Sequence, residues 1–117
     1  MSAPWLRVGA ALLAIGVAAG AFGAHGLEDQ VTPDRLDTWK TGAHYNLIHG
    51  LALVALGVRC PKIVGVLLTA GTLIFSGSLY LLVLTDTGWL GAITPLGGVS
   101  FIIGWTTLAW RGPKSPQ

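Results

Sequence analysis

The chain has 117 residues, of which 52% are hydrophobic and only 10% charged. Soluble domains carry about 25% charged residues, so a mean hydropathy of +0.66 points to lipid, not water, as the surrounding solvent. One cysteine excludes an intrachain disulfide and a thiolate metal cluster, and a net charge of +2 leaves no basic stripe for nucleic acid.

Four apolar segments are predicted as membrane-spanning helices, at 4–24, 39–58, 63–84 and 92–110. Each approaches the roughly 20 residues needed to cross about 30 Å of hydrocarbon. Their interiors hold no acid or base apart from Arg7 and Lys40, which stand in end turns where long side chains reach the interface. The first segment, with a basic residue, an apolar run and Ala21-Phe22-Gly23 at its end, has some features of a cleavable leader. Its length favours a retained helix.

The first connection, 25–38, is the longest. Within it Thr32-Pro33 predicts an N-cap followed by proline at the first helical position, opening a short amphipathic helix that leads into the second span. The connections at 59–62 and 85–91 are expected to be tight turns, and the proline-rich tail 112–117 to be frayed.

Charge assigns the sides. Arg7, Arg59, Lys62, Arg111 and Lys114 flank the two ends and the second connection, whereas all five acids (Glu28, Asp29, Asp34, Asp37, Asp86) lie in the first and third. The positive-inside rule then places both termini in the cytoplasm and the acidic loops outside. Trp5 and Trp110 are expected as anchors at the inner interface, Trp39 and Trp89 at the outer one.

Lipid supplies no hydrophobic drive for helix association, so small residues that let backbones approach must supply the packing. At 100° per residue, Gly9, Gly16, Gly20 and Gly23 share a face of the first helix. Gly65, Thr69, Thr72, Ser76 and Tyr80 share one on the third, and Gly97, Ser100 and Gly104 one on the fourth. The expected fold is all-α: a single-domain integral membrane four-helix bundle, antiparallel, with both termini cytoplasmic.

The second helix carries the chemistry. Gly42, Tyr45, Asn46, His49 and Leu53 share a face, while His44 points almost oppositely, so His44 and His49 cannot clasp one metal from the same helix. In the predicted topology Tyr45, Asn46, His49, Ser76, Tyr80 and Thr94 lie in the outer half of the membrane, with His25 ending the first helix on that side. These residues form either a polar pocket open toward the acidic loops or a set of interhelical hydrogen bonds. The hypothetical ligand-binding set is His49, Tyr45, Asn46, His25, Ser76 and Tyr80; no catalytic residue and no metal ligand are assigned.

Several runs in order carry a resemblance: Gly20-Ala-Phe-Gly-Ala-His-Gly-Leu27, Ala43-His-Tyr-Asn46 with His49-Gly-Leu-Ala-Leu53, Phe75-Ser-Gly-Ser-Leu-Tyr80, and Ile93-Thr-Pro-Leu-Gly-Gly98 with Gly104-Trp105. Over nearly its whole length the chain resembles the YgdD/YwdK-like family of small uncharacterised inner-membrane proteins, a family of bacteria with short mitochondrial relatives. The resemblance implies an integral four-span protein of the bacterial cytoplasmic membrane and no particular activity.

The leading expectation is a structural or accessory membrane subunit, within a larger membrane complex or as a homo-oligomer, because no charge lies at membrane depth to serve an ion or proton path. A haem- or quinone-binding module, with His49 and His25 as the pair to test, is the alternative. Passage of a small solute or proton would need an oligomer. An intramembrane hydrolase using Ser76 or Ser78 with His49 lacks an acid to orient the base. Zinc lacks thiolates and carboxylates at depth. No resident cofactor is assigned.

Overall fold

Helix α1 (Pro4–Phe22) starts on proline, whose missing N–H costs nothing in a first turn, and runs into a wider π-helical turn, Gly23–Leu27. Thr32 then caps helix α2 (Pro33–Leu56), its hydroxyl accepting the Arg35 N–H at 3.3 Å. The amphipathic helix expected after Pro33 and the second span are thus one continuous rod of 24 residues. Gly57 ends it at φ +52°, a left-handed conformation that suits glycine. A 3-10 turn, Gly57–Arg59, leads to helix α3 (Lys62–Thr85), which stops at left-handed Asp86. A second 3-10 turn, Gly88–Ala92, precedes helix α4 (Thr94–Arg111). This computed structural model describes residues 3–115; Met1, Ser2, Pro116 and Gln117 lie outside the described residues, and with them the end of the expected tail.

Three stretches of 24 residues, Pro4–Leu27, Lys62–Thr85 and Gly88–Arg111, are long and apolar enough to cross a membrane. The second of the four expected spans is not among them. Asp34, Arg35, Asp37 and Lys40 occupy the first two turns of α2, and His44, Asn46 and His49 dilute the apolar remainder.

Helices adjacent in sequence pack on one another: α1 on α2, α2 on α3, α3 on α4. Along α1 and into the π-helical turn, Gly9, Leu12, Gly16, Ala19 and Gly23 are buried; those facing them on α2 are Trp39, Ala43, Asn46, Gly50 and Leu53. Both sets step by alternating threes and fours, the mean period of 3.5 that keeps a seam between two helices wound left-handedly. That spacing corrects one expectation. Gly20, placed on the contact face by a simple 100° count, has nothing within 4 Å; Gly23 lies in the seam as expected, and Ala19 joins it in place of Gly20.

Backbones nearly touch at Gly9. A methyl there would stand 2.6 Å from the Gly50 carbonyl oxygen and 2.8 Å from the Val54 nitrogen. Gly97 plays the same part between α4 and α3, where an added methyl would lie 2.5 Å from the Phe75 nitrogen. The small faces of α3 and α4 are buried or half-buried as the spacing implies.

Two further expectations change. Trp39 is no interfacial anchor: it is 5% exposed, and its indole lies where Gly23 has no side chain. The tail, expected to fray, is held as far as Lys114, which exchanges two hydrogen bonds with Arg59: Lys114 N–H to the Arg59 carbonyl at 2.7 Å, and Arg59 Nε–H to the Lys114 carbonyl at 3.0 Å.

The interior divides into two apolar clusters. Leu12, Leu53, Cys60, Val64, Leu68 and Phe101 fill the end near the basic connection. Ala19, Leu27, Trp39, Ala43, Leu82 and Val83 fill the end near the acidic loops. Polar side chains lie between them.

Candidate functional site

The polar residues of α2 do not converge on one cavity. They separate into a buried lock on one side of the helix and an aromatic groove on the other.

The lock ties α2 to α1 and α3. Asn46, 2% exposed, donates Nδ2–H to the Leu12 carbonyl at 2.7 Å, and its Oδ1 accepts the Tyr80 hydroxyl at 2.9 Å. Gly16 lies against the first of these bonds: a methyl there would stand 2.7 Å from Leu47 and 3.4 Å from Nδ2 of Asn46. Ser76 donates to the Gly42 carbonyl at 2.7 Å, and the buried Trp39 indole to the Ala19 carbonyl at 2.7 Å. Three of these four bonds end on helix carbonyls, which keep a spare lone pair after bonding within the helix. In those three the partner is a backbone carbonyl, so only the Asn46–Tyr80 bond calls on a second polar side chain.

The α3–α4 seam is tied in the same way. Ser100 donates to the Leu67 carbonyl at 2.7 Å, and the hydroxyls of Ser78 and Thr94 are hydrogen-bonded to each other at 2.6 Å. Among the described residues, the one buried side-chain oxygen or nitrogen without a partner is the Thr69 hydroxyl.

On the other side, His49 faces α4. Its Nδ1 lies 2.8 Å from the Tyr45 carbonyl, which can only accept, so Nδ1 carries the proton. Nε2 is left as the acceptor for the Trp105 indole N–H at 3.0 Å. The ring lies nearly parallel to Phe101 with centroids 3.6 Å apart. Tyr45 packs tilted on Phe75 at 4.5 Å between centroids. Around these rings runs an open groove of about 430 Å³ between α2 and α4, lined by His44, Tyr45, Ile48, His49, Phe75, Gly98, Phe101, Ile102 and Trp105.

The six residues expected as a cluster are therefore distributed. Asn46, Tyr80 and Ser76 belong to the lock, and His49 and Tyr45 to the groove. His25 is exposed on the π-helical turn after α1. His44, expected to point away from His49, borders the same groove, because a groove reaching from α2 to α4 is wide enough to meet positions about 140° apart on one helix. Trp105, Phe101 and Phe75 were not anticipated. Their signal was present as rings at helical spacing, Phe101 with Trp105 and a Gly97-Gly98 pair just before them. Among the described residues, no three of His, Cys, Asp and Glu come together to hold a metal ion.

Chemically, His49 has both nitrogens engaged, and the hydroxyls of the lock point at carbonyls. The arrangement can fasten helices and offer a flat aromatic surface to a neighbour. It holds no nucleophile–base pair of the kind that covalent catalysis needs.

No solved structure matches the chain. Residues 19–98 match the family described as "Protein of unknown function (DUF423)". The UPF0382 membrane protein YwdK of Bacillus subtilis (strain 168) is 48% identical over 112 residues, covering 89% of each chain. A UPF0382 membrane protein of Staphylococcus aureus (strain bovine RF122 / ET3-1) is 47% identical over 104 residues, 84% of each chain, and one of Staphylococcus haemolyticus (strain JCSC1435) is 43% identical over 110 residues, 89% of this chain and 90% of its own. With this identity along nearly its whole length, the chain is a member of the DUF423 family, whose relatives are named membrane proteins.

Proposed function

We propose that this chain is a structural or accessory protein of the bacterial cytoplasmic membrane. In this reading it is an antiparallel bundle of four crossing helices with both termini inside, and it presents the α2–α4 groove to a transmembrane helix of another chain, in a larger complex or a second copy. The observation that carries it is the lock: Asn46, Tyr80, Ser76 and Trp39 all spend their polar groups on holding helices together. A transport path or an enzyme needs such groups free. The polar groups of Asn46 and His49 are satisfied inside the protein, which helps α2 cross despite its lower hydropathy. The basic and acidic connections stay at opposite ends, which supports the orientation.

Helix α4 is the side offered to a partner. Ile102 (66% exposed) stands out from it in the groove that it lines with Trp105. Flat aromatic and aliphatic surface without charge suits a transmembrane helix.

The same groove supports a second reading, a seat for a planar quinone-type headgroup. Stacked Phe101 and His49, the Tyr45 ring and exposed His44 line about 430 Å³, within the range of about 300–1,000 Å³ typical of small-molecule sites. Haem is less well supported, because Nε2 of His49 already accepts from Trp105.

Photo-crosslinking tests the choice. A benzophenone amino acid at Ile102, in the groove, is compared in living cells with one at Leu73, exposed elsewhere. The accessory reading expects a discrete protein adduct from Ile102 and none from Leu73. Lipid adducts alone at both positions would overturn it.

A further inference from the structure

We infer that the basic end of the bundle holds a binding site for the phosphate of an anionic phospholipid, in a groove between the start of α3 and the end of α4. The inference rests on the reading that α3 and α4 cross a membrane.

The groove, about 480 Å³, is lined by Pro61, Lys62, Ile63, Val66, Arg111 and Lys114. Three of the six are cations. They come from three separate pieces of chain: the first residue of α3, the last of α4 and the tail. The tail is not there by chance of a loose end, because the two hydrogen bonds between Lys114 and Arg59 hold it against the connection before α3. All five acidic side chains lie in the other two connections or at the start of α2, and among the described residues no carboxylate lines the groove to neutralise this triad.

The walls say which anion. Ile63 (43% exposed) and Val66 (44%) continue from the cations along the outer side of α3, an apolar track leading into the depth where an acyl chain lies. A free phosphate needs the cations alone, whereas a phospholipid needs cations at the interface and hydrocarbon contact directly beneath, which is the order found. The start of α3 adds to the field: Pro61 precedes it and no side chain caps its first turn, so its N–H groups and positive dipole end face the same region. Basic pockets between helix ends on the cytoplasmic side recognise lipid headgroups by this combination.

The test places the protein in nanodiscs of equal phosphatidylglycerol and phosphatidylcholine and counts, by native mass spectrometry, the lipids that stay bound on release. Enrichment of phosphatidylglycerol is expected. It should fall by roughly fivefold for each cation removed in K62Q, R111Q and K114Q, while R7Q, a cation outside the groove, retains it. I63N should weaken lipid retention as well. Equal retention in the triple variant and in R7Q would overturn the site. So would thermal stabilisation by inorganic phosphate in pure phosphatidylcholine that matches the effect of phosphatidylglycerol, since it would make this a free-anion site. The melting temperature of each variant in phosphatidylcholine shows whether the fold is kept. Failure of the protein to enter nanodiscs at all would instead strike the membrane reading, and is seen separately.

Discussion

Trp105 donates its indole N–H to Nε2 of His49 across 3.0 Å, linking α4 to α2. Because Nδ1 of the same ring donates to the Tyr45 carbonyl at 2.8 Å, the imidazole is neutral with its proton on Nδ1. Nitrogen-15 chemical shifts should report that tautomer. Trp105→Phe keeps a ring and loses the bond, so it should cost about 0.6 kcal/mol, the mean for membrane hydrogen bonds, and no more than about 1.7. A cycle with His49→Phe measures the coupling. Additive effects would mean that the pair does not hold the helices.

Asn46 bonds to two helices at once, and its loss should exceed that of its partner. Tyr80→Phe removes one hydrogen bond and leaves Oδ1 of Asn46 short of a donor. Asn46→Leu breaks both bonds, strands the Tyr80 hydroxyl and puts a branched side chain opposite Gly16. The expected costs are about 0.6 kcal/mol for Tyr80→Phe and about 1–3 kcal/mol for Asn46→Leu. Unfolding in mixed micelles gives the order, which a site free to bind a ligand would not require.

Glycine substitutions should rank by what a methyl would meet. Gly97→Ala strikes the Phe75 backbone and Gly9→Ala the Gly50 carbonyl, so both should lower stability by several °C or prevent assembly. Gly104→Ala meets the flexible end of Leu68 at 3.0 Å and should be milder. Gly20→Ala meets nothing and should be neutral, or gain up to about 1 kcal/mol of helix propensity. Thermal midpoints of the four variants in one detergent decide it; a loss at Gly20 equal to that at Gly97 would refute the seam.

Cys60 is 1% exposed in the connection before α3. Burial pushes its thiol above the ordinary range, only partly offset by the nearby Lys114 charge. The folded state therefore favours the protonated form. Its contribution to stability is complete below the ordinary thiol range and declines as pH rises through it. Maleimide should label the native protein slowly at about pH 7 and rapidly after denaturation. Stability should drop as pH rises through and above the ordinary thiol range, and this drop should vanish in Cys60→Ala. Fast native labelling would contradict the buried placement.

Much of the architecture can be read from local signals. Apolar run length marks α1, α3 and α4, Thr32-Pro33 marks the start of α2, and the small faces of α3 and α4 follow from a plain helical count. The rest depends on which helix faces which. Gly20 and Gly23 differ by 60° on a helical wheel, and only the 3.5-residue period of a wound seam selects Gly23. Trp39 looks interfacial because indoles prefer that depth, yet a carbonyl at Ala19 and a gap at Gly23 draw it inward. His49 and Trp105 are 56 residues apart, and no local rule pairs them. Polar residues at depth were legible as a set, but their division into lock and groove was not, because three of the four lock bonds end on backbone carbonyls that leave no mark in side-chain patterns.

The most direct test of the accessory role is a native mass spectrum of the untagged protein after gentle extraction. The account predicts a stoichiometric assembly with a further protein chain, of this or another kind, that dissociates when groove residues such as Ile102 are replaced by asparagine. A monomer free of any protein partner, whether bare or carrying a quinone-sized mass that His49→Leu removes, would contradict it.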